Sequence, residues 1–71
     1  MKVEILNETD EVLTIIIEPY CIHYEIAPQK MAIVVDDMKE RSIVYTSKNM
    51  ISVYSSLFSE VFVDGNLIES V

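Results

Sequence analysis

The sequence has little of what most catalytic and binding motifs require, with one cysteine, one histidine, one glycine and no tryptophan in 71 residues. The lone Cys21 excludes an internal disulfide framework and is typical of a reducing compartment. Phosphate-binding loops need several glycines, because the backbone must approach the phosphate closely and adopt positive φ. With Gly65 as the only glycine, a dinucleotide fingerprint and a P-loop are excluded, and we expect no cofactor.

Basic residues and long apolar runs are also scarce. Five Lys and Arg residues stand against twelve Asp and Glu residues, so the net charge is −7. Such a charge repels the nucleic-acid backbone and anionic membrane surfaces, which makes nucleic acid an unexpected partner. The longest apolar run, residues 12–17, is far shorter than the roughly 20 residues of a membrane helix. Acidic residues interrupt the N-terminal segment, which does not resemble a signal peptide. We therefore expect a cytoplasmic protein with no membrane role.

Apolar residues, by contrast, are abundant at 51% of the chain. A domain of this length buries only about 60% of the surface that its unfolded chain exposes, so its interior is small. Some apolar side chains must then lie on the surface or be covered by another chain. Contiguous exposed apolar surface usually marks an interface. The composition therefore predicts a homo-oligomer or a module that binds another protein.

The patterning predicts an all-β fold. β-Branched residues are common, and residues 2–5 alternate so that Val3 and Ile5 share one face. The run at residues 12–17 is apolar on both faces apart from Thr14, which predicts a central strand or one that faces a partner subunit. Asp64-Gly65 is a strong hairpin signal. We expect a single domain over residues 1–71, a small antiparallel barrel or two-layer meander of five to eight short strands, possibly Sm-like or SH3-like.

The remaining segments fit the same interpretation. Pro19 and Pro28 should end one strand and begin a turn, respectively, since proline donates no backbone hydrogen bond. Residues 20–26, 31–35, 42–46, 50–55, 59–63 and 66–69 are predicted as further strands. Residues 37–41 form the only plausible helical turn.

Cys21, His23 and Glu25 form the one cluster that suggests metal chemistry. On an extended strand they would project from one face at intervals of about 6.6 Å. Cysteine, histidine and carboxylate side chains are all zinc ligands. Three neighbours on a straight strand do not converge on one ion, so a partner strand or subunit would have to complete the site. The alternative, which we favour, is the solvent-facing side of an amphipathic strand.

No arrangement in the sequence predicts an enzyme. Ser55 and Ser56 lie in no nucleophile-elbow context, and a pair of catalytic carboxylates would need a cleft that so short a chain has little room for. The aromatic residues could stack nucleic-acid bases, but basic residues are not interleaved with them, so core packing and subunit contact are the favoured roles. These aromatic residues are Tyr20, Tyr24, Tyr45, Tyr54, Phe58 and Phe62.

Two resemblances add to this reading. Residues 13–20, 24–28 and 61–65 resemble a group of short uncharacterised bacterial proteins with a strand–Glu-Pro-aromatic segment, a proline turn and a terminal Asp-Gly hairpin. That resemblance implies a fold but no activity. Length and strand spacing also resemble the Sm-like barrel, a bent five-stranded barrel that assembles into rings by strand pairing. The Arg-Gly dipeptide of the Sm RNA-binding loops is lacking here, so RNA binding is not implied.

Three functional hypotheses follow. The first is a non-enzymatic oligomeric or protein-interaction module, with residues 12–17 as its interface. The second is a small-ligand or metal-binding barrel that uses Cys21, His23 and Glu25. The third is an Sm-like ring that binds nucleic acid.

Overall fold

The structure, a computed structural model, describes residues 2–37 and 42–71. These residues form β-strands, turns and loops, which confirms the predicted all-β class. No helix in them is long and apolar enough to cross a membrane. The helical turn predicted at residues 37–41 lies mostly outside the described ranges. The strands are β1 (Lys2–Leu6), β2 (Leu13–Glu18), β3 (Ile22–Ile26), β4 (Met31–Val35), β5 (Ser42–Ser47), β6 (Met50–Tyr54), β7 (Glu60–Val63) and β8 (Asn66–Ile68).

The strands form two four-stranded layers. The first sheet has the order β1-β4-β7-β8, and all its neighbours are antiparallel. The second sheet has the order β3-β2-β6-β5, in which β2 and β6 run parallel and the other pairs are antiparallel. Parallel neighbours need a long crossover connection, and here it passes through β3, β4 and β5, so the chain changes sheets between them.

One apolar core lies between the two sheets. Strands β1, β2, β3, β4, β6 and β7 contribute alternate apolar residues to this core, because successive side chains on a strand point to opposite faces. The buried apolar side chains are Ile5, Leu13, Ile15, Ile17, Tyr24, Ile26, Ala32, Val34, Ile51, Val53 and Val61. Val3 and Ile5 share the core-facing side of β1, as their alternation predicts.

Strand β2 is central, as expected, but only one of its faces is fully buried. Leu13, Ile15 and Ile17 lie in the core, whereas Ile16 on the other face is half-buried. Val12 precedes the strand and is exposed. The other half of the expectation, that residues 12–17 face a partner subunit, stays a prediction.

The hairpin predicted at Asp64-Gly65 is present. Asp64 has φ +53° and Gly65 has φ +77°, so both central residues adopt the left-handed backbone of a type I′ turn. This turn matches the right-handed twist of β7 and β8, which pair from Val61 with Ile68 to Val63 with Asn66. Asp64 also forms an ion pair at 2.8 Å with Lys30, which joins two turns at this end of the first sheet.

The side chain of Asn7, which is 1% exposed, connects the two sheets. Its Nδ2 donates to the backbone oxygens of Glu11 at 2.8 Å, Ile26 at 3.0 Å and Ala27 at 3.2 Å. Its Oδ1 accepts from the backbone nitrogen and the hydroxyl of Thr9. Asn7 follows β1 in the first sheet, and Ile26 ends β3 in the second. One amide thus ties the end of one sheet to the end of the other.

Replacing Asn7 by alanine is expected to lower the free energy of unfolding by about 3 kcal/mol, because buried carbonyls lose their donor and cannot reach water. For a domain of this size that corresponds to a fall in Tm of roughly 10–20 °C. The measurement is thermal unfolding followed by far-UV circular dichroism.

The matched control is Asn66→Ala. Asn66 is exposed, and its amide reaches only the Asp64 oxygen at 3.5 Å. This substitution should change stability by less than about 0.5 kcal/mol. Equal losses in the two variants would refute the role given to Asn7.

Candidate functional site

The outer side of the first sheet is apolar across all four of its strands. The register aligns Glu4, Ile33, Phe62 and Leu67 in one row across the sheet, and Leu6 with Met31 in the next. We call the following side chains the apolar face: Leu6, Met31, Ile33, Val35, Phe62 and Leu67.

Three side chains of the apolar face are largely open to solvent. Leu67 is 58% exposed, Leu6 is 52% exposed and Met31 is 39% exposed. Ile33 and Phe62, in the middle of the sheet, are half-buried by their neighbours. Directly opposed side chains on neighbouring strands lie within contact distance of one another, so these residues form one patch and not scattered exposed positions.

The sequence of β4 explains why this face exists. Met-Ala-Ile-Val-Val is apolar at every position, so one set of alternate residues must point away from the core. Ala32 and Val34 are fully buried, which leaves Met31, Ile33 and Val35 on the outside. The strand was predicted from the sequence, but its apolar outer face was not. The sequence signal for that face is the uninterrupted apolar run, together with Leu67 after the hairpin.

Charged side chains border the apolar face. Lys2 aligns with Val35 and Glu60 in the row nearest one end of the sheet, and Glu4 begins the middle row on the edge strand. The Lys30–Asp64 ion pair lies at the opposite end. An apolar centre with a polar rim is the usual anatomy of a protein–protein interface.

The outer side of the second sheet differs in composition. Among the described side chains of β2, β3 and β6, the ones that alternate with the core residues are five polar ones (Thr14, Glu18, His23, Glu25 and Ser52) and three apolar or aromatic ones (Ile16, Met50 and Tyr54). Ile16 is flanked by His23 and Ser52 in the pairing. The two outer surfaces are therefore chemically unequal, and the apolar one belongs to the first sheet.

The three predicted metal ligands do not line one strand face. Cys21 lies in the turn before β3, with φ +55°, while His23 and Glu25 are exposed on the outer side of β3. In the part of the chain that the structure describes, no three His, Cys, Asp or Glu side chains are grouped closely enough to hold a metal ion. A zinc site would need ligands from a second chain, and metal binding by Cys21, His23 and Glu25 stays a prediction.

Cys21 instead contacts Glu18. Its Sγ lies 3.4 Å from Glu18 Oε1, and the thiol donates to that carboxylate. This hydrogen bond and the negative charge of Glu18 both raise the pKa of the Cys21 thiol above its ordinary value. Because the thiolate is the nucleophile and the metal ligand, the contact makes Cys21 less reactive.

Replacing Glu18 by glutamine should lower the pKa of the Cys21 thiol, since the carboxylate that opposes its ionisation is gone. Alkylation by iodoacetamide at about pH 8 should become faster, and the pH–rate profile should shift to lower pH. Cys21 is the only cysteine, so the rate reports on it alone. Glu25→Gln, which removes the same charge without a contact to the thiol, is the control. Equal acceleration in both variants would contradict the assignment to Glu18.

An open cleft of about 310 Å³ lies at the end of the sandwich that carries the β1–β2 loop. Its lining combines the buried Leu13 and Ile51 with the exposed Glu8 and Lys48. Its size is at the lower limit for small-molecule sites. The Asn7 side chain, which also lines it, is fully engaged in holding the loop. The lining described therefore includes one positive side chain, Lys48, and one negative side chain, Glu8. These two do not form a set of hydrogen-bond donors that converges on a ligand.

The opposite end of the sandwich carries exposed aromatic residues and a buried serine. Ser55, which directly follows β6, is 5% exposed. Its hydroxyl donates to Asp36 and lies 2.8 Å from the Ser59 hydroxyl, which holds the β6–β7 loop in place. Phe58, at the tip of that loop, is 80% exposed. Side chains on loops are held less precisely than side chains on paired strands, so Phe58 is a weaker candidate for a binding site than the apolar face.

The aromatic residues divide between interior and surface. Tyr24 is buried in the core and Phe62 is half-buried on the apolar face, so packing accounts for both. Tyr20 and Tyr54 are exposed. Tyr24 therefore has the predicted core role, and a role of the exposed tyrosines in subunit contact stays a prediction.

Comparison with protein-family models, with curated proteins and with solved structures finds no match to this chain. Its function is therefore argued from its own residues. The resemblance to Sm-like barrels and to short bacterial proteins stays a prediction.

Proposed function

We propose that this chain is a non-enzymatic protein-interaction module that docks through the apolar face of its first sheet. The observation that carries the proposal is the contiguous patch of apolar side chains to which four paired strands contribute, with Leu6, Met31 and Leu67 open to solvent. Such a surface costs free energy in water, and covering it with another apolar surface contributes about 25 cal/mol for each Å² removed from solvent.

The composition of the apolar face also supports docking. Phe and Met are enriched at the centres of protein interfaces, whereas Lys, Glu and Asp are depleted there. Phe62 and Met31 lie within the face, and Lys2, Glu4 and Glu60 lie at its rim. All of these residues lie on paired strands, so the surface is already ordered before a partner arrives, which reduces the entropy lost on binding.

The reactive side chains favour a binding role over catalysis. The Ser55 hydroxyl donates to the Asp36 carboxylate, but Ser55 is only 5% exposed, so a substrate has little access to it. The Cys21 thiol is exposed, but its pKa is raised, which opposes formation of the thiolate that a nucleophilic mechanism needs. This support concerns the described residues alone.

The proposal predicts that Leu67→Lys removes the docking activity without unfolding the protein. Its matched control is Leu57→Lys, because Leu57 is 51% exposed in the β6–β7 loop and Leu67 is 58% exposed on the apolar face. Two readouts are needed on each purified protein: the mass in sedimentation velocity, and the fluorescence of an apolar dye such as ANS.

The wild type should either self-associate or bind the dye, depending on whether its own copies cover the apolar face. Leu67→Lys should lose the dye binding of a monomeric wild type or weaken the self-association of an oligomeric one, and Leu57→Lys should change neither. A wild-type protein that is monomeric and binds no dye would refute the proposal, as would equal effects of the two lysine variants.

A further inference from the structure

The charges at the rim of the apolar face have a self-complementary arrangement. Strand β4 lies between β1 and β7, and Val35 pairs with Lys2 on one side and with Glu60 on the other. A positive and a negative side chain therefore lie on opposite sides of β4 at the same level along it. Both are exposed.

A symmetric contact between two copies of this face requires a two-fold axis in the plane between them. An axis parallel to β4 exchanges the positions of β1 and β7. It leaves the position of every residue along the strand direction unchanged. It sets Lys2 of each copy against Glu60 of the other, and it stacks the outward side chains of β4 on one another. It also sets Glu4 against Phe62 of the other copy and places Leu67, on the edge strand β8, at the margin of the contact.

The other simple axis, perpendicular to the strands through the middle row, gives unfavourable contacts. It keeps each strand opposite itself, so Glu4 faces Glu4 of the second copy. It also exchanges the two ends of the sheet. Glu60 of one copy then lies opposite Asp64 of the other, because Asp64 directly follows Val63 at the far end of β7. Like charges placed directly opposite each other destabilise a contact, so the rim charges favour the axis along β4.

We propose that the occupant of the apolar face is a second copy of this chain, related by a two-fold axis parallel to β4 that pairs Lys2 with Glu60 of the partner subunit. This inference rests on the proposed function, since it names the partner of the same surface. The aligned packing of two sheets face to face, with a twist of about 30°, is the common way in which β-sheets cover one another.

The size of the face is compatible with a stable dimer. The chain exposes 4583 Å², close to the roughly 4,500 Å² expected for a folded monomer of its mass. The molecule measures 31 × 26 × 19 Å, so its broadest side projects at most about 800 Å². A contact over part of that side lies at or below the roughly 800 Å² that each partner of a standard interface contributes.

The test is charge reversal at the two paired positions, read out by sedimentation velocity over a range of concentrations of the full chain. Lys2→Glu and Glu60→Lys should each weaken the dimer roughly tenfold, because each turns two attractive contacts into two repulsive ones. The double variant should restore the dimer to near the wild-type affinity, since the pair is reformed with its charges exchanged.

Controls make the same charge changes away from the apolar face. Lys48→Glu lies in the β5–β6 turn and Glu25→Lys lies on the outer side of β3, and both positions are exposed. Neither control should alter the dimer by more than about twofold, because screening in physiological salt limits interactions beyond roughly 8 Å. Circular dichroism establishes that every variant is folded.

Three results would overturn the inference: a wild type that stays monomeric, a dimer unaffected by the reversals, or a double variant no stronger than the single ones. A monomer whose dye binding is lost in Leu67→Lys would leave the docking surface standing with a different partner. A monomer without dye binding would remove the docking surface as well.

Discussion

The hydrogen bonds of the buried Asn7 side chain hold the two sheets of this small domain in register. The amide donates to the ends of the β1–β2 loop and of β3, and it accepts twice from Thr9. The backbone of Asn7 extends the same junction, because its nitrogen donates to the Lys30 oxygen and its oxygen accepts from the Gln29 nitrogen, both at 2.9 Å. A thin core cannot fix the relative position of two sheets by packing alone, so a polar junction with every group satisfied supplies the specificity.

That junction determines which surfaces are left to function. Once the two sheets are fixed, alternate residues of each strand enter one shared core, and the others face outward. On the second sheet the outward residues are mostly polar. On the first sheet β4 is apolar on both of its faces, and Phe62 and Leu67 on the neighbouring strands extend its outer surface. Part of the exposed apolar surface thereby lies on one side of the domain, at Leu6, Met31 and Leu67, where the proposed second copy would cover it.

Much of the fold could be predicted from the sequence, because its signals are local. Alternation predicts β1, and Asp64-Gly65 predicts the last hairpin, since its turn depends on two adjacent residues. The parallel pairing of β2 with β6 could not be predicted, because it joins segments far apart in the chain and periodicity carries no strand order. Because Cys21 has a left-handed backbone, β3 begins at Ile22, later than predicted, and the thiol does not share the row of His23 and Glu25. The burial of Asn7 depends on groups nineteen and twenty residues away and has no local signature.

The most direct test of the central claim is isotope-filtered NMR on a mixture of labelled and unlabelled chains, which detects only contacts between copies. If a two-fold axis along β4 relates the copies, the methyl groups of Ile33 and Val35 in one copy should show cross-peaks to the same side chains in the other. Cross-peaks confined to Ile16 and Met50 would instead place the contact on the second sheet, and their complete absence at millimolar concentration would contradict self-association.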